Sequence, residues 1–343
     1  MSEKTGFGQS LEKKIVSAGK CFGCGACVVS CPFACLEYAE ERPHLAKDCE
    51  NCGLCSKICP QYETSQSQLE KFVFGREKRV NADFGIYRRL AVARAKNPQI
   101  LEAGQDGGAV TALLQHALCE KIVDGAIVSG TQDRSFRPAP MLATTPEEIL
   151  SSAGTRYSYS PNVLALTDAV RQTKKEIAFV GTPCQIRAVR MMQTHEVKLA
   201  SCVKLLFGLM CSECFTYEGL MRKHVHESLG LRLEDIAKIN IKGKMMITTR
   251  KGETKTIPLA EIRQFARENC RYCTDFSSEL ADISFGGLGL NGWTFVIVRT
   301  EKGKNLLDSA EKADRIEVRN TEEEENALDL LSRLSAKKKA TPP

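Results

Sequence analysis

Residues 21–60 read CFGCGACVVSCPFACLEYAEERPHLAKDCENCGLCSKICP and decide the fold of the first part of the chain. They contain the pattern Cys-x2-Cys-x2-Cys-x3-Cys-Pro twice, at 21–32 and at 49–60. Spacings of two residues let three thiolates surround one face of an iron–sulfur cube, and the longer last spacing carries the fourth cysteine to a neighbouring cube. The stretch therefore predicts two [4Fe–4S] clusters.

The spacing also assigns the cysteines to two ligand sets. The first cluster takes Cys21, Cys24, Cys27 and Cys59, and the second takes Cys49, Cys52, Cys55 and Cys31. Structural zinc also uses Cys-x2-Cys pairs, but two intact repeats that each end in Cys-Pro favour iron–sulfur clusters. Cys35 lies outside the pattern, and we expect it to pack as an apolar residue.

The composition of the whole chain restricts the function classes. It has 343 residues, 16 cysteines, 43% hydrophobic residues and a net charge of +6. Disulfide-dense chains are usually small and secreted, and the opening MSEKTGFGQSLEKK lacks the apolar core of a signal peptide. No apolar run approaches the roughly 18 residues of a membrane span. We therefore expect a cytoplasmic metal-binding protein, and the modest charge gives no reason to expect nucleic acid as a partner.

From Arg88 onward, predicted strands alternate with predicted helices, which indicates an α/β domain. The predicted strands are RRLAVARA, DGAIVSG, EIAFVGTP, KLLFGLMC, MMITTRKG, TKTIPL, ADISFGG and WTFVIVRT. The predicted helices are GGAVTALLQHALCEKI, TPEEILSSAG, NVLALTDAVRQTKK, QIRAVRMMQ, YEGLMRKHVHESLG and a charge-rich tail. Residues 1–20 look like a polar lead-in. We predict a cysteine-rich domain at 1–62, a linker at 63–87 with some local helix, and a larger domain at 88–343.

A second group of cysteines lies in the larger domain. Cys119 and Cys202 are predicted core residues, in a helix and in an apolar run. Cys184 ends a strand, at the sheet edge where α/β proteins bind ligands, and Cys211 ends the next strand. The other members of this group are Cys214, Cys270 and Cys273. These positions allow one more metal site, with buried thiols or zinc as alternatives, and chemistry alone does not choose between Cys211 and Cys214.

Two parts of the chain resemble known proteins. Residues 21–60 resemble bacterial two-cluster ferredoxins, which carry out one-electron transfer. Farther along, the motifs DGGAVTALL (106–114), GTRYSYSPN (154–162), VGTPCQIRA (180–188), GLMCSECF (208–215) and CRYCTDFSSELADISFGG (270–287) occur in order. Together they resemble the beta subunit of coenzyme F420 hydrogenases and dehydrogenases. The fusion of both parts is most similar to the F subunit of archaeal reduced-F420 dehydrogenase complexes.

This resemblance implies a fold class and cofactors. The fold is expected to combine α+β and α/β parts: an N-terminal bacterial two-cluster ferredoxin-like domain, then a larger mixed α/β flavoprotein domain. The larger domain is expected to bind FAD and a third [4Fe–4S] cluster and to exchange hydride with coenzyme F420. The family cysteines recur here as Cys184, Cys211, Cys270 and Cys273, whereas Cys214 falls where relatives often have serine and is left out.

The resemblance also suggests where FAD binds. Gly107 and Gly108 precede a helix, where free N–H groups bind phosphate, and GTRYSYSPN is a polar loop. A plain turn and a solvated loop are the alternatives. The expected FAD-binding residues are Gly107, Gly108, Thr111, Gly154, Thr155, Arg156, Tyr157, Ser158, Thr182, Pro183 and Gln185. Candidates for the basic entrance that the phosphate and glutamate tail of F420 requires are Arg187, Arg190, Arg263 and Arg267.

One motif matches a nucleotide-binding fingerprint without the helix that the fingerprint requires. GLGLNG at 287–292 matches Gly-x-Gly-x-x-Gly, but a dinucleotide fingerprint must open a helix. The following WTFVIV predicts a strand, so we do not expect nicotinamide binding there.

The expected function is an electron-input subunit that oxidises reduced F420. Electrons would pass through FAD and the clusters to a partner complex at the cytoplasmic membrane face. Three alternatives remain: an F420-reducing hydrogenase subunit, a wiring subunit with clusters only, and a ferredoxin-dependent reductase of another organic substrate. No catalytic side chain is assigned, because hydride transfer needs no Ser-His-Asp or paired-carboxylate arrangement.

Overall fold

The computed structural model describes residues 5–77, 83–132 and 135–340. Within them the chain forms a two-stranded, a three-stranded and an eight-stranded sheet. The strands are β1 (Leu36–Ala39), β2 (Arg42–Leu45), β3 (Arg89–Ala95), β4 (Gly125–Gln132), β5 (Arg137–Ala143), β6 (Ile177–Gly181), β7 (Val203–Leu209), β8 (Ile236–Ile241), β9 (Lys244–Thr249), β10 (Thr254–Pro258), β11 (Ile283–Gly286), β12 (Thr294–Val298) and β13 (Ile316–Arg319).

Helices and single helical turns connect these strands. The helices are α1 (Gly8–Val16), α2 (Ala26–Val29), α3 (Leu54–Lys57), α4 (Gln66–Phe74), α5 (Pro98–Ala103), α6 (Ala109–Cys119), α7 (Pro146–Ser151), α8 (Leu166–Arg171), α9 (Pro183–Thr194), α10 (Tyr217–Ser228), α11 (Leu259–Ile262), α12 (Glu301–Lys312) and α13 (Glu325–Ala340). Every strand and helix predicted from Arg88 onward is confirmed, and Thr145 forms the N-cap of α7.

The large sheet positions the candidate site. Its strand order is β13-β3-β12-β11-β7-β6-β4-β5. The four neighbouring strands β11, β7, β6 and β4 are parallel to one another. Their carboxyl ends therefore meet at one edge, which is where ligands bind in open α/β sheets. The prediction of a mixed α/β domain is confirmed for this part of the chain.

Both faces of the large sheet are buried, which explains the continuous apolar strands. In β6, Phe179 packs in the core with Ile186 and Val189 of α9. The next residue, Val180, packs on the opposite face with Leu113 of α6. Because successive strand residues point to opposite faces, covering both faces with helices requires apolar residues at every position.

The N-terminal region contains a helix with buried apolar side chains. Phe7, Leu11 and Ile15 recur every four residues and are buried in a cluster with Cys27 and Cys55. The expectation of a polar lead-in at 1–20 is therefore wrong for α1. Its i→i+5 hydrogen bonds place these side chains on the face that covers the cysteines. The two-stranded sheet β1–β2 completes the region.

Three further elements escaped prediction or depart from it. Strand β5 contains Pro138 and Pro140, which weaken a strand pattern but are tolerated at the sheet edge that β5 occupies. Strands β8 and β13 were also not predicted. Within the predicted linker 63–87, α4 buries Leu69 against the core cluster that contains α9; residues 78–82 of that linker lie outside the described part.

Candidate functional site

The cysteines of residues 21–60 line two small cavities. The first cysteine cavity, about 20 Å³, is lined by Cys21, Cys24, Cys27 and Cys59. The second cysteine cavity, also about 20 Å³, is lined by Cys31, Cys49, Cys52 and Cys55, with Cys35 beside them. Each cavity thus takes three cysteines from one repeat and the fourth from the other. This is the exchange that the spacing predicts.

Each of these cavities is lined by the four cysteines that the spacing assigns to one cluster. Among the described residues, no three His, Cys, Asp or Glu side chains converge closely enough to hold one metal ion. Burial raises the pKa of Cys24 to about 12 and that of Cys55 to about 11.

Backbone N–H groups point at the cysteine sulfurs. Gly23 N–H donates to Cys21 Sγ at 3.4 Å, Cys35 N–H to Cys31 Sγ at 3.3 Å, and Phe7 N–H to Cys49 Sγ at 3.4 Å. Such hydrogen bonds stabilise the negative charge of a cluster. Gly23 reaches this geometry with a positive φ of 67°, which costs a glycine little.

A third cysteine set lies at the edge of the large sheet. It consists of Cys184 after β6, Cys211 and Cys214 after β7, and Cys270 and Cys273 in the loop before β11. Cys211 Sγ lies 3.8 Å from Cys214 Sγ, and Cys214 N–H donates to Cys270 Sγ at 3.4 Å. Burial, together with the neighbouring thiols of Cys273, Cys214 and Cys270, raises the pKa of Cys184.

The third set therefore contains one cysteine more than a cluster needs. The predicted ligands Cys184, Cys211, Cys270 and Cys273 are brought together, and Cys214 lies among them. The resemblance left Cys214 out, although its spacing of three from Cys211 was a signal that both thiols face the same site. Of the remaining cysteines, Cys35 and Cys202 are buried as predicted, whereas Cys119 is exposed and its assignment to the core is wrong. It lies at the last position of α6, beyond the packed face.

A cavity of about 300 Å³ opens beside this cysteine set, and we call it the sheet-edge cavity. Leu114, Val128 and Phe285 supply apolar wall, and Cys214 also lines it. Of the residues predicted to bind FAD, those that line it are Gly108, Thr111, Gly154, Thr155, Arg156, Tyr157, Ser158, Thr182 and Gln185. Gly107 and Pro183 are not among its lining residues.

Gly107 and Gly108, which precede α6, are each required for a different structural reason. A Cβ on Gly107 would lie 2.5 Å from the Ala93 carbonyl oxygen, and the Gly107 N–H already donates to Thr294 Oγ1 at 3.1 Å. Gly108 has a positive φ of 67° and forms the N-cap of α6. The free N–H groups therefore belong to the first turn of α6, and the glycines' own N–H groups are used internally.

Arg156 is the strongest anion-binding candidate of the cavity. Its Nη1 donates to the carbonyl oxygens of Ser152, Ala153 and Gly154 at 2.6, 2.9 and 3.1 Å. Its Nε has no hydrogen-bond acceptor among the described residues, and no described carboxylate forms an ion pair with it. Burial lowers its pKa to about 10, so the guanidinium stays charged at neutral pH. A part-buried cation with an unused donor fits a phosphate group.

Sequence reasoning missed the wall that the three-stranded sheet and the β11–β12 connection contribute. Lys242 lines the cavity, and its Nζ contacts Asp106 Oδ1 at 3.6 Å. Residues 286–289 line it too, and the chain then enters β12, which confirms that GLGLNG is followed by a strand and not by a helix. The cavity lining in the described part of the chain includes none of the four candidate entrance arginines, Arg187, Arg190, Arg263 and Arg267.

Comparison with known families now adds to this geometry. Two family models of the coenzyme F420 hydrogenase/dehydrogenase beta subunit match the chain. Residues 90–167 match the model of its N-terminal part, and residues 174–324 match the model of its C-terminal part. The coenzyme F420 hydrogenase beta subunit of Methanococcus voltae is 38% identical over 260 residues, which is 75% of this chain and 92% of the relative.

The chain belongs to the coenzyme F420 hydrogenase/dehydrogenase beta-subunit family. It is therefore related to F420-linked oxidoreductases. The F subunit of F(420)H(2) dehydrogenase from Methanosarcina mazei is 29% identical over 336 residues, covering 94% of this chain and 90% of the relative. That match extends over more of the chain than the hydrogenase match does.

A solved structure supports the fold assignment. A chain of the F420-reducing [NiFe] hydrogenase complex from Methanosarcina barkeri superposes with a TM-score of 0.72 at 33% identity. The match covers 77% of this chain and 92% of that chain. The neighbour is part of a multi-subunit complex. Among the described helices of the present chain, none is both long and apolar enough to cross a membrane.

Proposed function

We propose that this chain is the electron-input subunit of a reduced-F420 dehydrogenase. In this proposal it oxidises reduced coenzyme F420 and delivers single electrons, through FAD and [4Fe–4S] clusters, to a membrane-bound quinone- or phenazine-reducing complex. The observation that carries the proposal is the contiguity of the sites. The sheet-edge cavity is lined by Cys214 of the third cysteine set, and the loop of Cys270 contacts the residues around Cys21 in the first cysteine cavity.

The cofactors proposed for these sites explain why the sites lie side by side. Reduced F420 gives up two electrons as hydride, a cluster accepts one electron, and bound FAD accepts two and releases them one at a time. The protein must therefore hold a flavin next to a cluster. Thiolates are the ligands of [4Fe–4S] clusters, and the third cysteine set borders the cavity that suits the flavin.

The side chains of the cavity support binding of a dinucleotide. The first turn of α6 presents unpaired N–H groups at the partial positive end of the helix, which stabilises phosphate. Arg156 adds a part-buried positive charge with an unused Nε–H. The apolar wall of Leu114, Val128 and Phe285 excludes water from a flat aromatic ring. We assign no proton-transfer side chain, because hydride transfer requires none.

The partner complex and the location on the cytoplasmic membrane face are part of the same proposal. The similarity over 94% of the chain to the F subunit of F(420)H(2) dehydrogenase supports it. The second cysteine cavity follows the third cysteine set and the first cysteine cavity in the proposed order of electron transfer. It therefore supports a path for electrons that leaves the large domain. A hydrogenase subunit that reduces F420 would run the same chemistry in the opposite direction and is not favoured by this longer path.

The test is anaerobic. The purified chain, reconstituted with iron, sulfide and FAD, is mixed with reduced F420 and a viologen dye, and F420 absorbance is followed. We expect rapid F420 oxidation that depends on FAD and is unchanged in the Cys119→Ser variant, because Cys119 is exposed and outside the sites. Absence of oxidation with full FAD and iron occupancy would remove F420 as the substrate and favour a wiring subunit or another reductase.

A further inference from the structure

Arg267 lies between the first cysteine cavity and the third cysteine set. Its side chain is 8% exposed, in the loop that leads to Cys270. Nη1 donates to the Phe22 carbonyl oxygen at 3.1 Å, and Nε donates to Glu41 Oε2 at 2.8 Å. The guanidinium lies 3.8 Å from the centroid of the Tyr159 ring. One buried cation thus touches the N-terminal cysteine region on one side and the large domain on the other.

The backbone around Arg267 is built for this close approach. A Cβ on Gly23 would lie 2.8 Å from Arg267 Nη2 and 2.2 Å from the Glu41 carbonyl oxygen. The glycine of the first cysteine repeat therefore makes room for the arginine. Asn269, two residues farther along, donates its side-chain amide to the Cys21 carbonyl oxygen. Tyr38 Oη donates to the Gly23 carbonyl oxygen at 2.7 Å.

The charge of Arg267 acts on thiols from both sites. Burial raises the pKa of Cys21, Cys24 and Cys270, and Arg267 opposes that effect; the pKa of Cys214 is lowered mainly by its hydrogen bond with Cys211, and Arg267 lowers it further. The backbone of Arg267 is also tied to the third set: its N–H donates to the Cys214 carbonyl oxygen at 2.9 Å, and its carbonyl accepts from Cys270 N–H at 3.0 Å.

We propose that Arg267 is a shared positioning residue of two iron–sulfur centres, whose charge stabilises the reduced form of both the first N-terminal cluster and the third cluster. The inference rests on the cofactor assignment of the proposed function. A fixed cation favours the state that carries one more negative charge, so it raises the reduction potential of each nearby cluster. Glu41 opposes this effect, because its carboxylate pairs with the same guanidinium.

The experiment is a redox titration of the reconstituted full-length chain followed by electron paramagnetic resonance. In Arg267→Gln we expect the midpoint potentials of the first and third clusters to move to more negative values. The second cluster serves as an internal reference and should not move, because the contacts of Arg267 with described residues do not include Cys31, Cys49, Cys52 or Cys55. Arg263→Gln is the matched control, since Arg263 is exposed and four residues away; we expect no shift in that variant.

Glu41→Gln gives the opposite sign and separates charge from structure. Removing the carboxylate leaves the cation unbalanced, so at least the first cluster should shift to a more positive potential. Arg267→Lys keeps a positive charge, so its midpoint potentials should shift less than those of Arg267→Gln. If Arg267→Gln loses iron and its potentials cannot be compared, the shift of the first cluster in Glu41→Gln decides. An unchanged or more negative midpoint potential in Glu41→Gln would overturn the proposal. If the wild-type chain does not oxidise F420 but the variants show these shifts, only the proposed function is contradicted. If the wild-type chain oxidises F420 but the variants show no shifts, only this inference is contradicted.

Discussion

Residues 21–60 and the sheet-edge cavity differ in how their parts are assembled. The cysteines of 21–60 come from two copies of one local motif, and their spacing alone predicts which four line each cavity. The sheet-edge cavity draws on the ends of β6, β7 and β11, on the 154–162 loop and on the three-stranded sheet. A local motif specifies its own partners, whereas a site built from distant segments depends on the packing of the whole domain.

Among the variants that test this comparison, we expect the largest effect in Cys59→Ser. Cys59 belongs to the second repeat but lines the first cysteine cavity. We therefore expect the variant to lose the first cluster and to keep the second. Iron content per chain and the paramagnetic resonance spectrum of the dithionite-reduced protein measure this loss.

Cys35→Ser is the matched control, because Cys35 is buried beside the second cavity but lies outside the repeat pattern. It should retain both clusters. Loss of the second cluster in Cys59→Ser, with the first intact, would contradict the exchange of fourth ligands between the repeats.

The third cysteine set offers a paired test. We expect Cys211→Ser to lose the third cluster and Cys214→Ser to keep it, because Cys184, Cys211, Cys270 and Cys273 are the predicted ligands. Iron content and resonance spectra of the two variants, prepared identically, measure the difference. The reverse result would make Cys214 the fourth ligand. The two sulfurs lie 3.8 Å apart, so the structure places either thiol within reach of the same site.

The same contrast explains what the sequence predicted and what it did not. Strands such as β6 and β7 were predictable because both faces are buried and the residues are almost all apolar. Helix α1 was missed because its buried residues Leu11 and Ile15, with Phe7 at its N-cap, stand in a largely polar segment and gain their apolar partners only from distant cysteine motifs. Strand β5 was missed because its two prolines are acceptable only at an edge, and edge position is a property of the assembled sheet.

The same physical reason applies to the cavity. The motifs DGGAVTALL, GTRYSYSPN and VGTPCQIRA identified nine of its lining residues, because helix starts, polar loops and strand ends are visible in a sequence. Lys242 and residues 286–289 were not identified, since nothing local distinguishes them from ordinary strand and turn residues. Arg267 was selected for its charge, but its position between two cysteine sites required the fold.

A smaller effect is expected for Arg156→Gln. Loss of one charge-assisted hydrogen bond to a buried anion costs about 1.5–3 kcal/mol, which corresponds to roughly 10- to 150-fold weaker FAD binding. Titration of the FAD-free, cluster-reconstituted chain with FAD, followed by flavin fluorescence, measures the affinity. Arg171→Gln is the control, because Arg171 is exposed and pairs with Asp168 on the surface. Equal FAD affinity in both variants would mean that Arg156 only caps the preceding helix.

The smallest effect separates packing from binding at the glycine pair before α6. Gly107→Ala places a methyl group against backbone on two sides, 2.5 Å from the Ala93 carbonyl oxygen and 2.8 Å from the Thr294 nitrogen. We expect this overpacking to lower the free energy of unfolding by about 1–3 kcal/mol, as measured by the urea midpoint of the reconstituted chain. Gly8→Ala is the control, since nothing lies within 4 Å of its Cβ position. FAD affinity should change little, because the Gly107 N–H is already bound to Thr294. A tenfold loss of FAD affinity at unchanged stability would instead support direct phosphate binding by Gly107.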